Sequence, residues 1–215
     1  MVIRAVFFDF DGTISDARKI AEDSLVLTLN EFGFKYNKKK ALGLLGIHMD
    51  RILKKLGLGG EDVEEVRKRF YRHFTRMAME GGIRPCVSLK PLWDLKEEVP
   101  LFVVSNSRGS FLKASIKKLN LRGLFVGVYG GEKFESKDEF LRYLFKKLKI
   151  RPSEAVYVGD RFSDVEFARE AGCVAVAIHN KCSWSSLSRI KLEKPDYVVR
   201  DFYGLRKVLR ELNKD

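Results

Sequence analysis

Val2-Ile3-Arg4-Ala5-Val6-Phe7-Phe8-Asp9-Phe10-Asp11-Gly12-Thr13 is the stretch that decides the fold. Apart from Arg4, residues 2–8 are apolar at successive rather than alternate positions, and rich in β-branched and aromatic side chains. A strand that is apolar on both faces belongs inside a parallel sheet covered by helices on each side. The run then breaks into Asp9-Phe10-Asp11-Gly12-Thr13. Side chains at i and i+2 share a face of extended chain, and Gly12 lets the backbone turn sharply. Two close carboxylates ending a buried strand are costly unless a cation or a proton lies between them. The pair reads as nucleophile, acid/base and cation site. The alternative is a helix N-cap with a spare acid.

Working outward, five more apolar runs predict strands at 101–105, 125–129, 155–158, 174–178 and 197–199. Amphipathic patterns predict helices between and after them, at 111–119, 138–148, 164–171 and 205–212. Strands alternating with helices imply βαβ units and a doubly wound parallel α/β sheet. Residues 17–90 break this rhythm, with no readable strand. They carry helical faces instead: Leu25, Leu29 and Phe32; Met49, Ile52, Leu53 and Leu56; and Val63, Val66, Phe70 and Phe74. The expected architecture is an α/β core of residues 1–16 and 89–215, with a small α-helical domain of residues 17–88 inserted. Hinges are expected near 15–18 and 82–88.

Ligands of open parallel sheets bind beyond the carboxyl ends of the strands, and further polar blocks stand there. Ser105-Asn106-Ser107 follows the second core strand, where hydroxyl and backbone N–H groups at a helix start suit an anion. N-capping explains the same residues. Lys137 precedes an amphipathic helix and offers charge neutralisation, or is one more surface lysine. Gly159-Asp160-Arg161-Phe162-Ser163-Asp164 follows the 155–158 strand. Its two carboxylates suit a hard cation such as Mg²⁺, or else a strand-to-helix turn capped by Asp164.

In this order, Asp9–Thr13, Ser105, Lys137 and Gly159–Asp164 resemble the signatures of the haloacid dehalogenase superfamily in its phosphatase branch. The resemblance spans nearly the whole chain. The helical insertion resembles the family's cap, of the phosphoglycolate phosphatase and β-phosphoglucomutase type. It implies that Asp9 attacks phosphorus and forms an aspartyl-phosphate. Asp11 would serve as acid and then base. Ser105 and Asn106 would bind the transferring phosphoryl oxygens, and Lys137 would hold Asp9 and balance charge. Mg²⁺ would be bound by Asp9, the Asp11 carbonyl oxygen and Asp160, with Asp164 among the ligands or just behind them. An acid at residue 11 points to phosphatase or phosphomutase chemistry, since P-type ATPases carry Thr at the matching position. The cap would read the leaving group through residues 43–51, where His48 and Arg51 are the candidate substrate contacts.

Composition bounds the rest. A net charge of +12, from 41 Lys+Arg against 29 Asp+Glu, attracts anions. Its lysines recur at helical spacing, as solvated helix faces do, which favours a small phosphate ester over nucleic acid as the partner. A basic nucleic-acid-binding protein without catalysis is the alternative of another class, and a phosphomutase the alternative within the same chemistry. Three cysteines without close pairs argue against a disulfide framework, and three scattered histidines against a zinc site. No stretch is long enough to span a membrane, so a soluble, cytoplasmic protein is expected. The absence of glutamine, with abundant Lys, Arg and Glu, fits a thermophile. No pattern bears on oligomeric state.

Overall fold

A computed structural model describes residues 2–59 and 62–214. The chain runs through β1 (Ala5–Phe8) and β2 (Ser15–Asp16), then the helices α1 (Arg18–Glu31), α2 (Lys38–Gly43), α3 (Met49–Lys55) and α4 (Asp62–Met77). β3 (Arg84–Pro85) and α5 (Lys90–Lys96) follow. Strands and helices then alternate: β4 (Leu101–Val104), α6 (Gly109–Lys118), β5 (Gly127–Tyr129), α7 (Lys137–Leu148), β6 (Ala155–Gly159) and α8 (Phe162–Ala171). The chain closes with β7 (Val174–Ile178), α9 (Leu187–Leu192), β8 (Tyr197–Val199) and α10 (Phe202–Leu212).

Six strands form one parallel sheet in the order β5-β4-β1-β6-β7-β8. β1 lies between β4 and β6, with Phe8 opposite Val103 on one side and Val158 on the other. The chain leaves β1 toward one edge and later returns to fill the other. That reversal opens a crevice at the carboxyl ends of β1, β4 and β6, where open α/β sheets bind ligands.

The continuous apolar run of β1 is explained by burial on both faces. Val6 and Phe8 turn to the side covered by α5, α6 and α10, while Ala5 and Phe7 turn to α7 and α8. Phe8 meets Phe125 and Phe202 edge-on, and Phe7 stacks on Phe102 at 5.0 Å. Each fully buried ring contributes roughly 2–3 kcal/mol of transfer free energy.

Among the described residues, the helical insert does not form a core of its own. Ala21, Leu25, Phe70 and Phe74 join the same buried cluster as Val6 and Phe8. Phe74 of α4 stacks on Phe111 of α6, with ring centroids 3.8 Å apart. The insert is entered and left through a two-stranded antiparallel ribbon, Ser15 opposite Pro85 and Asp16 opposite Arg84.

β3 corrects the expectation of a strand-free stretch over 17–90. It is two residues long and ends in proline, so it has no room for a readable alternation. α2, α5 and α9 are likewise only six or seven residues each, and the sequence does not announce them. The regular part of the first strand is Ala5–Phe8, shorter than the apolar run that holds it, although Arg4 N–H and Asp9 N–H still donate to Glu154 O and Val158 O of the β6 side. Among the described residues no helix is long and apolar enough to cross a membrane.

Candidate active site

β1 ends by delivering Asp9 and Asp11 into the crevice. Asp9 stays in register, its N–H donating to Val158 O at 2.9 Å. Gly12 then turns at φ +89°, a conformation costly for other residues. A side chain there would also overlap the Asp160 carboxylate and the Trp184 ring. β4 leads directly into Ser105, β6 delivers Asp160, and α7 and α8 supply Lys137 and Asp164 at their first turns.

Asp9, Asp160 and Asp164 converge. Each is buried and offers a carboxylate oxygen within 4.8 Å of the others. Lys137, 3% exposed, bridges two of them, with Nζ 3.1 Å from Asp9 and 3.2 Å from Asp164. Its third contact is Tyr157 Oη at 2.8 Å, and that hydroxyl lies 3.1 Å from Val104 O as donor. Burial alone would push the Lys137 ammonium down, but Asp9 and Asp164 outweigh it and hold its pKa above the ordinary lysine value. One ammonium does not balance three carboxylates. Burial raises the Asp9 pKa, with Lys137 opposing and Asp164 adding to the rise. Asp160 stands well above the usual carboxylate range through burial and then the charges of Asp164 and Asp9. Excess buried negative charge on hard oxygen donors fits a divalent cation of the Mg²⁺ kind.

Asp11 stands apart from that cluster. Ser107 Oγ donates to its Oδ2 at 2.5 Å and Ser15 Oγ to its Oδ1 at 3.0 Å. Burial pushes its carboxyl up to about 7, against the pull of the Ser107 hydrogen bond.

Asp9, Asp11, Ser105 and Asn106 line a chamber of about 40 Å³, room for a group of only a few heavy atoms. Its opposite wall is apolar and comes from the insert, chiefly Leu45, Ile47, Met49, Phe70 and Phe74. Tyr71, Met49 and Asn106 also border an open cleft of about 560 Å³ beside it.

The two insert candidates sit differently. His48 lines that outer cleft rather than the chamber, and its Nε2 lies 2.9 Å from Gly131 O of the core. Its side chain makes no cap hydrogen bond to α3. Arg51 is exposed and donates to Glu135 O at 3.4 Å. Asn106 spends its side-chain amide on the insert, donating to Gly46 O at 3.1 Å.

Several residues were missed from the sequence. Thr13 Oγ1 and the Trp184 N–H bind the two oxygens of Asp160, at 3.2 and 2.5 Å. Arg161 reaches from the core to Leu45 O at 2.6 Å. Tyr157 carried one faint signal, a lone hydroxyl within an otherwise aliphatic buried strand. Trp184 carried none, since it comes from a loop remote in sequence.

The profile of the haloacid dehalogenase-like hydrolases matches residues 6–178. A phosphoglycolate phosphatase of Aquifex aeolicus is 31% identical, over 79% of this chain and 82% of its own. The pyrophosphatase PpaX of Bacillus mycoides is 25% identical, over 99% of this chain and 100% of its own. A haloacid dehalogenase-like hydrolase from Streptococcus pneumoniae superposes with a TM-score of 0.80 at 20% identity, over 96% of this chain and 98% of that one. The fold, the order of the carboxylate blocks and the extent of the profile match agree: this chain belongs to the haloacid dehalogenase-like hydrolases.

Proposed function

We propose that the chain is a Mg²⁺-dependent phosphatase that hydrolyses a small phosphate monoester through an aspartyl-phosphate on Asp9. The observation that carries this reading is the convergence of Asp9, Lys137, Asp160 and Asp164 beside a separately held Asp11. The names of its relatives, phosphoglycolate phosphatase and pyrophosphatase, support phosphoryl chemistry.

Phosphoryl transfer needs mainly positioning and charge neutralisation. Asp9 attacks phosphorus in line. Asp11, oriented by Ser107 and Ser15, protonates the leaving oxygen and then takes a proton from the hydrolytic water. Ser105 receives the phosphoryl oxygens with the backbone N–H of Asn106, whose side-chain amide is held by Gly46 O. Lys137 fixes the Asp9 carboxylate and offsets charge. Asp9, the Asp11 carbonyl oxygen, Asp160 and Asp164 would hold Mg²⁺, which when bound neutralises carboxylate and phosphoryl charge.

Residues 17–88 act as the cap. Their apolar wall closes the chamber, excludes water and leaves little room beyond the phosphoryl group. His48 and Arg51, at the outer cleft and the surface, read the part of the leaving group that emerges. The substrate class is a small phosphate monoester: phosphoglycolate, a sugar phosphate or a nucleotide.

Hydrolysis of p-nitrophenyl phosphate, with and without Mg²⁺, in the wild type and in Asp9→Asn tests the reading. Metal-dependent activity that disappears in the variant is expected, and full activity in Asp9→Asn would sink it. Phosphoryl exchange primed by a sugar bisphosphate, without net release of phosphate, would instead reveal a phosphomutase.

A further inference from the structure

The turn that roofs the chamber, Leu45-Gly46, is gripped by core residues at its backbone. Arg161 Nη1 donates to Leu45 O at 2.6 Å, and Asn106 Nδ2 to Gly46 O at 3.1 Å. Arg161 also lies over the indole of Trp184, its guanidinium carbon 5.9 Å from the ring centroid. Gly46 adopts φ +93°, and a side chain there would overlap Arg161 and crowd Trp184. Trp184 in turn passes close beside Gly12, and its N–H donates to Asp160 Oδ2 at 2.5 Å. The indole is therefore packed between two glycine backbones, one beside Asp160 and one in the roof. Direct contacts run unbroken from Asp160 through Trp184 and Arg161 to the turn.

We propose that Trp184 and Arg161 are positioning residues that couple cation binding at Asp160 to closure of the Leu45-Gly46 turn. The proposal rests on the metal reading above. A cation held by Asp160 immobilises the carboxylate, and that carboxylate holds the Trp184 backbone. A fixed indole offers Arg161 a rigid surface on which to lie, and a seated Arg161 holds the turn by Leu45 O. Coupling of this kind is reciprocal: closure of the turn strengthens cation binding by the same factor. The chamber then shuts best when it is loaded for chemistry.

Amide hydrogen exchange over residues 44–47, with and without Mg²⁺, tests the coupling, with Mg²⁺ affinity measured by calorimetry. In the wild type, saturating Mg²⁺ slows exchange in the turn at least about fivefold, the lower end of ordinary coupling between sites. Arg161→Ala still binds Mg²⁺, weaker by no more than that factor, and its turn no longer responds to the metal. Trp184→Phe keeps the backbone N–H on Asp160 while shrinking the ring. It gives an intermediate response and guards against an Arg161→Ala protein that does not fold. Two results overturn the coupling alone: equal Mg²⁺ protection in wild type and Arg161→Ala, or Mg²⁺ binding with no protection in the wild type. No Mg²⁺ binding at all overturns the metal reading and the coupling together. Full hydrolysis by Asp9→Asn overturns the nucleophile and leaves the coupling standing.

Discussion

Lys137 is the residue on which the charges of the site turn. It is buried, holds two carboxylates and a phenol, and sits 5.4 Å from the Tyr157 ring centroid and 5.2 Å from that of Phe167. Lys137 is buried, so the broader, planar guanidinium of arginine would have to displace packed neighbours. Lys137→Met should lower kcat by about 10²–10³-fold, the usual cost of losing one preorganised charge, and Lys137→Arg should not restore it. Steady-state kinetics at saturating Mg²⁺ checks both. Tyr157→Phe separates structure from chemistry. Losing the hydroxyl between Lys137 and Val104 should cost about 1–3 kcal/mol of stability, seen in urea unfolding, with kcat changed far less than in Lys137→Met. The raised Asp9 and Asp160 mark first the cost of burying their charge and then repulsion from neighbouring carboxylates, and a divalent cation offsets both. Mg²⁺ at a hundred times its Kd should therefore stabilise the fold by about 2.7 kcal/mol. Thermal melts with Mg²⁺ and with EDTA measure this, and Asp160→Asn should abolish most of the difference.

At the scale of elements, what was legible in the sequence follows from how buried strands and amphipathic helices are built. β1, β4, β6 and β7 are saturated with apolar side chains on both faces, so they stand out as runs. The acids at their ends stand out because charge after such a run needs a reason. Asp9, Asp11 and Asp160 stand out that way, and Asp164 through the block that follows β6. Contacts made by backbone atoms or by loops far apart in sequence leave no such trace. The Trp184 N–H on Asp160 would be the same for any residue but proline at that position, and the Leu45 carbonyl has no sequence identity at all. The insert was legible as three amphipathic faces, but not in how it docks. Phe74 shows this best: its periodicity marks a buried face, yet nothing in the sequence says that the ring lies on Phe111 of a core helix. Phe74→Ala should destabilise the protein by about 3–5 kcal/mol, the cost of deleting a buried ring. It should also loosen the roof of the chamber, so that KM rises along with the loss of stability in urea.

For the whole molecule, charge and core make separate predictions. A net charge of +12 concentrates anions near the surface, and salt screens such a field over about 10 Å at 0.1 M. kcat/KM for a phosphate ester should fall by roughly two- to tenfold between 50 and 500 mM NaCl, with kcat itself unchanged. A nucleic-acid-binding protein would instead lose affinity for duplex DNA with a steep log–log slope set by many phosphate contacts. The buried cluster passes without a break from Val6 and Phe8 into Leu25 and Phe70. Unfolding should accordingly be one transition, with far-UV circular dichroism and tryptophan fluorescence superimposed across urea. The ribbon of β2 and β3 has a further consequence. Because the chain departs at Ser15 and comes back at Pro85, side by side, a tight hairpin could close that gap without moving a strand of the sheet. The sheet is thus indifferent, topologically, to what is spliced in between, and one insert can be exchanged for another of different shape. The exchange is restrained at the surface where the insert meets a sheet-covering helix. Any replacement must present an aromatic or equally broad face to Phe111, or leave that ring bare to water.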